Sequence, residues 1–426
     1  MEIIFKNLLI LLFFLIFIIG GKTNSYSIIN KMILTESHII KGDVELDDLT
    51  FKCKNLYNKG NYIIRQEFIT NGNYISKFDM FTICKGIDEY KALPVRISRG
   101  VLRTLDANWK SFFSCIRKWK TNKELFRGKP NIPKYLPKSG KFTALFYEKA
   151  ILKETIKNKG IGLSSLKMRL PVQTKNKIIE IQVIPTKTNK YKINVIYDYK
   201  EEKLKQDNNF YCSIDLGINN LMTVTSNKAG VNPVIVNGKP LKSINQYYNK
   251  KKAEYQSRLL KGVFTSKRIS KLVFKHECKV NDYLHKASNF IIKFCLDNKL
   301  NTLVVGYNEF WKQGVSIGKV NNQKFVQIPF EKLLQMLTYK CQKHGINIIT
   351  HEESYTSKCS FLDNEIVEKH EVYLGKRIKR GMFKTAIGKF INADVNGSYN
   401  ILKKVIPNAF ANGVEDVVVH PYRVNL

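Results

Sequence analysis

Asp215, Asp394 and a third carboxylate drawn from Glu309, Glu352 and Glu353 are the residues of this chain best placed to do chemistry. Asp215 ends an apolar run, residues 210–215, and is followed by Leu-Gly-Ile-Asn-Asn. A carboxylate at a strand end beside a glycine turn is held rigidly where a metal ion can sit, although a turn-forming aspartate has the same surroundings. Asp394 precedes Val395, Tyr399 and Leu402, which share a helical face. It therefore falls in the first turn of a helix, where the dipole alone favours an acid. Two such acids and a third can hold a pair of Mg²⁺ ions about 4 Å apart, one activating water and one stabilising the leaving oxygen. Hard cations take oxygen ligands, so Asp and Glu rather than His and Cys are the expected donors. Glu309 stands four residues beyond a predicted strand, residues 302–305, and Glu352 and Glu353 follow another, residues 346–350. Neighbours on a strand point to opposite faces, so one of that last pair faces the site.

The elements that position these acids follow from periodicity. Residues 47–125 carry apolar positions at helical spacing, among them Leu56, Ile64, Leu105 and Trp109. Trp109, spaced with Phe112 and Phe113, reads as core, and His285 as an ordinary helix histidine. Residues 127–138 form a basic, proline-rich loop, and the alternation in 177–184 and 191–197 about a Pro-Thr-Lys-Thr-Asn-Lys turn predicts a β-hairpin. A charged linker at 200–208 precedes strands at 210–215, 221–225 and 233–236, a long basic helical region at 243–298, and then strand, helix (330–344) and strand. That is the order of an RNase H-like layer.

The chain has 426 residues, with 71 Lys+Arg against 35 Asp+Glu, a net charge of +36. A hydrophobic fraction of 44 % excludes wholesale disorder, so a folded chain with a positive surface remains. Its expected partner is a nucleic acid, because neutralising phosphates is the main use of such a surface. The eight cysteines are scattered and none forms a C-x-x-C, which suits a reducing cytoplasm. Residues 1–31 contradict that compartment: an apolar run, residues 8–19, resembles a signal-peptide core. With everything after Met32 reading as a polyanion binder, the leader is set outside the fold, and no membrane partner is expected.

The chain resembles the TnpB (OrfB) family, RNA-guided nucleases of insertion sequences related to Fanzor proteins and type V CRISPR effectors. The resemblance runs from about Met32 to Val405. It rests on Lys54-Asn55-Leu56-Tyr57-Asn58, Asn108-Trp109-Lys110-Ser111-Phe112-Phe113, Ile214-Asp215-Leu216-Gly217, Trp311-Lys312-Gln313, Asn322-Gln323-Lys324-Phe325, Tyr355-Thr356-Ser357-Lys358 and Asp394-Val395-Asn396-Gly397, in that order. It implies a mixed α/β and α+β multidomain fold: a wedge β-barrel with an inserted helical recognition bundle over 32–205, then a RuvC-like nuclease domain over 206–405 and a tail over 406–426. It implies Asp215 as first catalytic acid and Asp394 as last, with two Mg²⁺ ions, a guide RNA from the transposon end, and double-stranded target DNA.

Two departures matter. The family's second acid stands at a strand end where this chain has Gly306. Some relatives carry a compensating glutamate on the neighbouring strand before a Thr-Ser, and Glu353 matches that pattern. The expected site is therefore Asp215, Glu353 and Asp394, against the rival that Gly306 leaves an inactive RNA-guided binder. A strand-transferring transposase is the other alternative. The family's zinc ribbon is reduced, over about 354–392, to the single cysteine Cys359. One cysteine cannot make a tetrahedral zinc site, so no zinc is expected.

Overall fold

A computed structural model describes residues 31–151, 160–163, 166–308, 318–411, 413 and 418–426. The leader lies outside the described residues apart from Lys31, and so do Glu309 and Trp311. Among the described residues, no helix is long and apolar enough to cross a membrane.

The described residues open with β1 (Lys31–Lys41), followed by four α-helices before the next strand: α1 (Val44–Asn71), α2 (Lys77–Ile83), α3 (Asp88–Lys91) and α4 (Val95–Thr121). Asp43 starts α1 by accepting from the Leu46 amide, and Gly72 ends it at φ 70°, a conformation that costs a side chain dearly. The expected helical spacing is real, since Leu56, Ile64, Val101, Leu105 and Trp109 share one apolar core. Trp109 is fully buried, and its indole donates to Asn61 Oδ1 at 3.0 Å. The basic loop is tied down from α1, because Asn61 and Arg65 both donate to the Pro133 carbonyl. Strands β2 (Ala144–Tyr147), β5 (Ile178–Pro185) and β6 (Lys190–Lys200) join β1 in an antiparallel sheet ordered β1-β6-β5-β2. Strands β3 (Ile161–Leu163) and β4 (Leu166–Leu170) pair separately. The predicted hairpin is β5–β6, and β1 zips along all of β6, which the local pattern gave no means of foreseeing.

The second half is built on a six-stranded sheet. Strands β7 (Tyr211–Leu216), β8 (Asn220–Ser226) and β9 (Val234–Asn237) run antiparallel. Helices α5 (Lys239–Ser257) and α6 (Lys267–Asp297) cross over to β10 (Thr302–Gly306), parallel to β7. After α7 (Lys319–Val326) and α8 (Phe330–Lys343), β11 (Asn347–His351) adds in parallel to β10. The strand order expected from the sequence is thus present. The helical region read as one stretch is instead two helices, broken at 258–266 around Gly262 at φ +85°. Strands β12 (Lys376–Lys379), β13 (Met382–Lys384) and β14 (Phe390–Asn392) make a small sheet before α9 (Ala393–Val405). The last residues, expected as a tail, supply β15 (Tyr422–Val424), which pairs in parallel with β9.

Register fixes what meets at the site. Val305 pairs with Ile214 and Gly306 with His351, so Asp215, Gly306 and His351 stand level on three adjoining strands. Asn220 opens β8 at the same end. Helix α9 lies across β7, β8 and β10 through a buried polar seam, with Ser213 Oγ donating to the Ser398 carbonyl at 2.7 Å.

Candidate active site

Asp215 emerges at the end of β7 beneath α9. A Cβ placed on Gly397 would lie 3.1 Å from Asp215 Oδ2, so that helix position has space only for glycine or for a shifted acid. The residue keeps some surface exposed, but protein crowds its carboxyl. Burial drives its pKa well up, the charges of Glu353 and Asp394 push the same way, and Arg377 opposes them.

Glu353 arrives from the far side of the gap at Gly306. A Cβ on Gly306 would stand 2.8 Å from Glu353 Oε2 and 2.5 Å from Ile401 Cδ1. The volume that a side chain on β10 would take is therefore filled by the Glu353 carboxyl and Ile401. The Glu353 amide donates to Asn308 Oδ1 at 3.0 Å, which anchors the glutamate to the chain just past β10. Glu353 Oε2 is buried without a hydrogen-bond partner. Burial first, and the neighbouring Glu352 second, push its carboxyl up to about 7. Glu352 has the opposite surroundings. Burial would raise it, but Ser354 and Lys404 outweigh that and hold it low, with Lys404 Nζ 3.0 Å from Oε2. Of the two neighbours, Glu353 is the one turned to the site.

Asp394 is in the first turn of α9, where Asn392 caps the helix by accepting from the Asp394 and Val395 amides. Its carboxylate is held from two sides, by Asn220 Nδ2 at 2.5 Å and by the half-exposed Arg377 at 3.4 Å. The loop after Glu353 is stitched to α9. Asn396 accepts from the Phe361 amide and donates to the Cys359 carbonyl, and Asn400 donates to the Thr356 and Cys359 carbonyls. Within residues 354–392, Glu365 accepts from the Ser360 and Leu374 amides, while the buried Cys359 thiol donates to the Glu368 carbonyl.

The donors suit a hard cation: oxygen ligands, two of them in carboxyls whose burial disfavours charge, one oxygen orphaned. Among the described residues, however, no three His, Cys, Asp or Glu groups are gathered closely enough to hold a metal ion together.

Comparison with known proteins bears on the class. A model of the OrfB_IS605 family, "Probable transposase", matches residues 193–312, and one of the Cas12f1-like TNB domain matches residues 330–401. The "TnpB-like protein ORF457" of Acidianus two-tailed virus is 25 % identical over 398 residues, spanning 85 % of this chain and 82 % of its own. The chain is similar to TnpB-like proteins along most of its length. Its mixed α/β fold is also similar to that of Cas12f1 in a complex with sgRNA and target DNA. The TM-score is 0.52 at 16 % identity, over 83 % of this chain and 81 % of that one.

The fold brings Asp215, Glu353 and Asp394 to one end of one sheet. Sequence reasoning missed the residues that hold them. Asn220 lay within the quoted Leu-Gly-Ile-Asn-Asn, and Arg377 was visible only as one cation in a basic run. Asn308 carried no signal, because its role depends on strands that are far apart in sequence.

Proposed function

We propose that the protein is an RNA-guided endonuclease that cuts double-stranded DNA by Mg²⁺-dependent hydrolysis. Its guide would be an RNA from the transposon end, and the RuvC-like centre would lie within 206–405. The observation that carries this is Glu353, whose carboxyl enters the space left by Gly306 and repels Asp215. Two crowded carboxyls that resist ionisation cost stability unless a cation occupies the site. The similarity to a TnpB-like protein and the likeness in fold to Cas12f1, seen with sgRNA and target DNA, support the nucleic-acid partners. So does the net charge of +36, which suits a channel gripping a heteroduplex by its backbone. In the same reading residues 32–205 are the wedge and recognition region, and the segment at 354–392 keeps its shape without zinc.

Asp215, Glu353 and Asp394 would hold the ions. Bound Mg²⁺ supplies a Lewis acid at the phosphoryl oxygens and lowers the pKa of attacking water. The chain's own residues prepare the place. Asn220 and Arg377 fix the orientation of Asp394, and Asn308 fixes the height of Glu353 above the sheet. Asp215 is oriented by its strand and by the bare Cα of Gly397. Arg377 keeps guanidinium surface open beside Asp394, where it can meet a phosphate.

The test is cutting of a plasmid library with randomised flanks by the protein co-purified with RNA from its flanking element, in Mg²⁺ or EDTA. The expected result is Mg²⁺-dependent double-strand cutting that Asp215→Ala abolishes. Guided binding with no cutting would leave a binder only, and joined strands in place of free ends would indicate a transposase.

A further inference from the structure

The α5–α6 hairpin overhangs the acid end of the sheet. Asn237 ends β9 level with Asn220, on the side of Asp215, and the Tyr283 hydroxyl donates to its carbonyl. From Val280, the first α6 residue in the core of the sheet, back to the start of α6 at Lys267 is thirteen residues, about 20 Å of helix at 1.5 Å per residue. The arm is braced, since His276 Nε2 lies 2.7 Å from Asn245 Oδ1 and its ring stacks on Tyr248 at 4.1 Å. Its tip carries Leu260, Val263 and Phe264 at 82 %, 46 % and 80 % exposure. Three large apolar side chains within five residues, turned to water at the end of a stiff arm, are a contact surface rather than scatter.

The rim identifies what it contacts. Between Tyr255 and His276 there is no Asp or Glu, while Arg258, Lys261, Lys267, Arg268, Lys271 and Lys275 supply six cations. The preceding acid, Glu254, is already paired with Lys251 and Arg258. A second copy of the chain would bring the same charge and be repelled. We propose that the tip is a stacking site for unpaired nucleobases: Phe264, flanked by Leu260, offers a π face and the surrounding Lys and Arg grip adjoining phosphates. Stacking on aromatic side chains within a cationic groove is how single strands are held without sequence preference. The choice of nucleic acid as partner rests on the function proposed above. The test reads binding without cutting, so the two fail separately.

The test measures anisotropy of a labelled single-stranded oligodeoxyadenylate with the full chain over a range of salt. Phe264→Ala should weaken binding about tenfold with an unchanged slope of log affinity against log salt, and Phe264→Trp should retain affinity. Lys261→Ala with Arg268→Ala should instead flatten that slope, by about 0.7 for each phosphate no longer neutralised. Because the tip is exposed, all variants should melt with the wild type. Unchanged affinity in Phe264→Ala would overturn the proposal. So would a tip that Phe264→Ala detaches from phosphatidylglycerol vesicles but not from the oligonucleotide, or a concentration-dependent dimer that the variant abolishes.

Discussion

Replacing Glu353 by Gln should stabilise the metal-free protein while removing its chemistry. In the folded chain the Glu353 carboxyl ionises at about 7, against about 4.5 when exposed. The folded state therefore keeps a proton between those values that the unfolded state has lost, and stability falls as pH rises through that window. Below about 4.5 both states are protonated and the glutamate costs nothing. Above about 7 the full difference applies, about 3 kcal/mol. The repulsion Glu353 exerts on the more crowded Asp215 adds in the same direction. At about 2–4 °C per kcal/mol for a unit of 150–250 residues, Glu353→Gln should melt about 6–12 °C higher at pH 8 in EDTA. Near pH 4.5 the two should melt together. Subtracting the variant's profile from the wild type's removes the background titration of histidines. Added Mg²⁺ should then raise the wild type more than the variant, since a ligand of the folded state stabilises in proportion to its occupancy. A wild type as stable as the variant at pH 8, or a difference largest in acid, would refute a buried, uncompensated carboxyl at 353.

Three further outcomes follow from the same geometry. Gly306→Ala places a methyl 2.5 Å from Ile401 Cδ1 and 2.8 Å from Glu353 Oε2, so urea melts should show a loss of about 1–3 kcal/mol and cutting should fall. Adding Ile401→Val should recover part of the stability. Asn396→Ala leaves the Phe361 amide without its partner in a buried seam, while the Cys359 carbonyl keeps Asn400; a loss of about 1–3 kcal/mol is expected in urea melts, with cutting reduced further than guided binding. Lys340 is buried, donating to the His285 carbonyl and to Ser288 Oγ, and burial first and Lys343 second lower its pKa to about 8. The unfolded chain then binds the extra proton between about 8 and 10.5, so wild-type stability should rise across that range. Lys340→Met should be the more stable protein at pH 7, by about 1–3 kcal/mol, and the gap should close as pH rises in urea melts.

The central sheet was legible because its strands announce themselves locally. Residues 211–216, 220–226 and 302–306 are short runs rich in Leu, Ile, Val and Thr, bounded by Gly and Asn, as strands buried on both faces tend to be. Asp215 and Asp394 were legible for the same reason, each marked by the end of an element. The third acid was not legible from spacing. Choosing between Glu352 and Glu353 needed the pairing of β11 on β10, and the family pattern supplied what local physics lacked. The pairings of β1 with β6 and of β15 with β9 were invisible because one strand end of each pair sits far from its partner in sequence. The break between α5 and α6 was missed because Leu260, Val263 and Phe264 keep an apolar content that reads as helix. Only Gly262 and the preceding Lys261 hinted at the turn.

The most direct test of the account sets the two adjacent glutamates against each other in guided, Mg²⁺-dependent cutting. Glu353→Gln should slow cutting by about a hundredfold or more, because a lost ligand forfeits several kcal/mol of charge stabilisation. Glu352→Gln, which removes only a partner of Lys404 and Ser354, should cut within a few-fold of the wild type. Full activity in Glu353→Gln, or loss confined to Glu352→Gln, would contradict the assignment of Glu353 as the acid that stands in at Gly306.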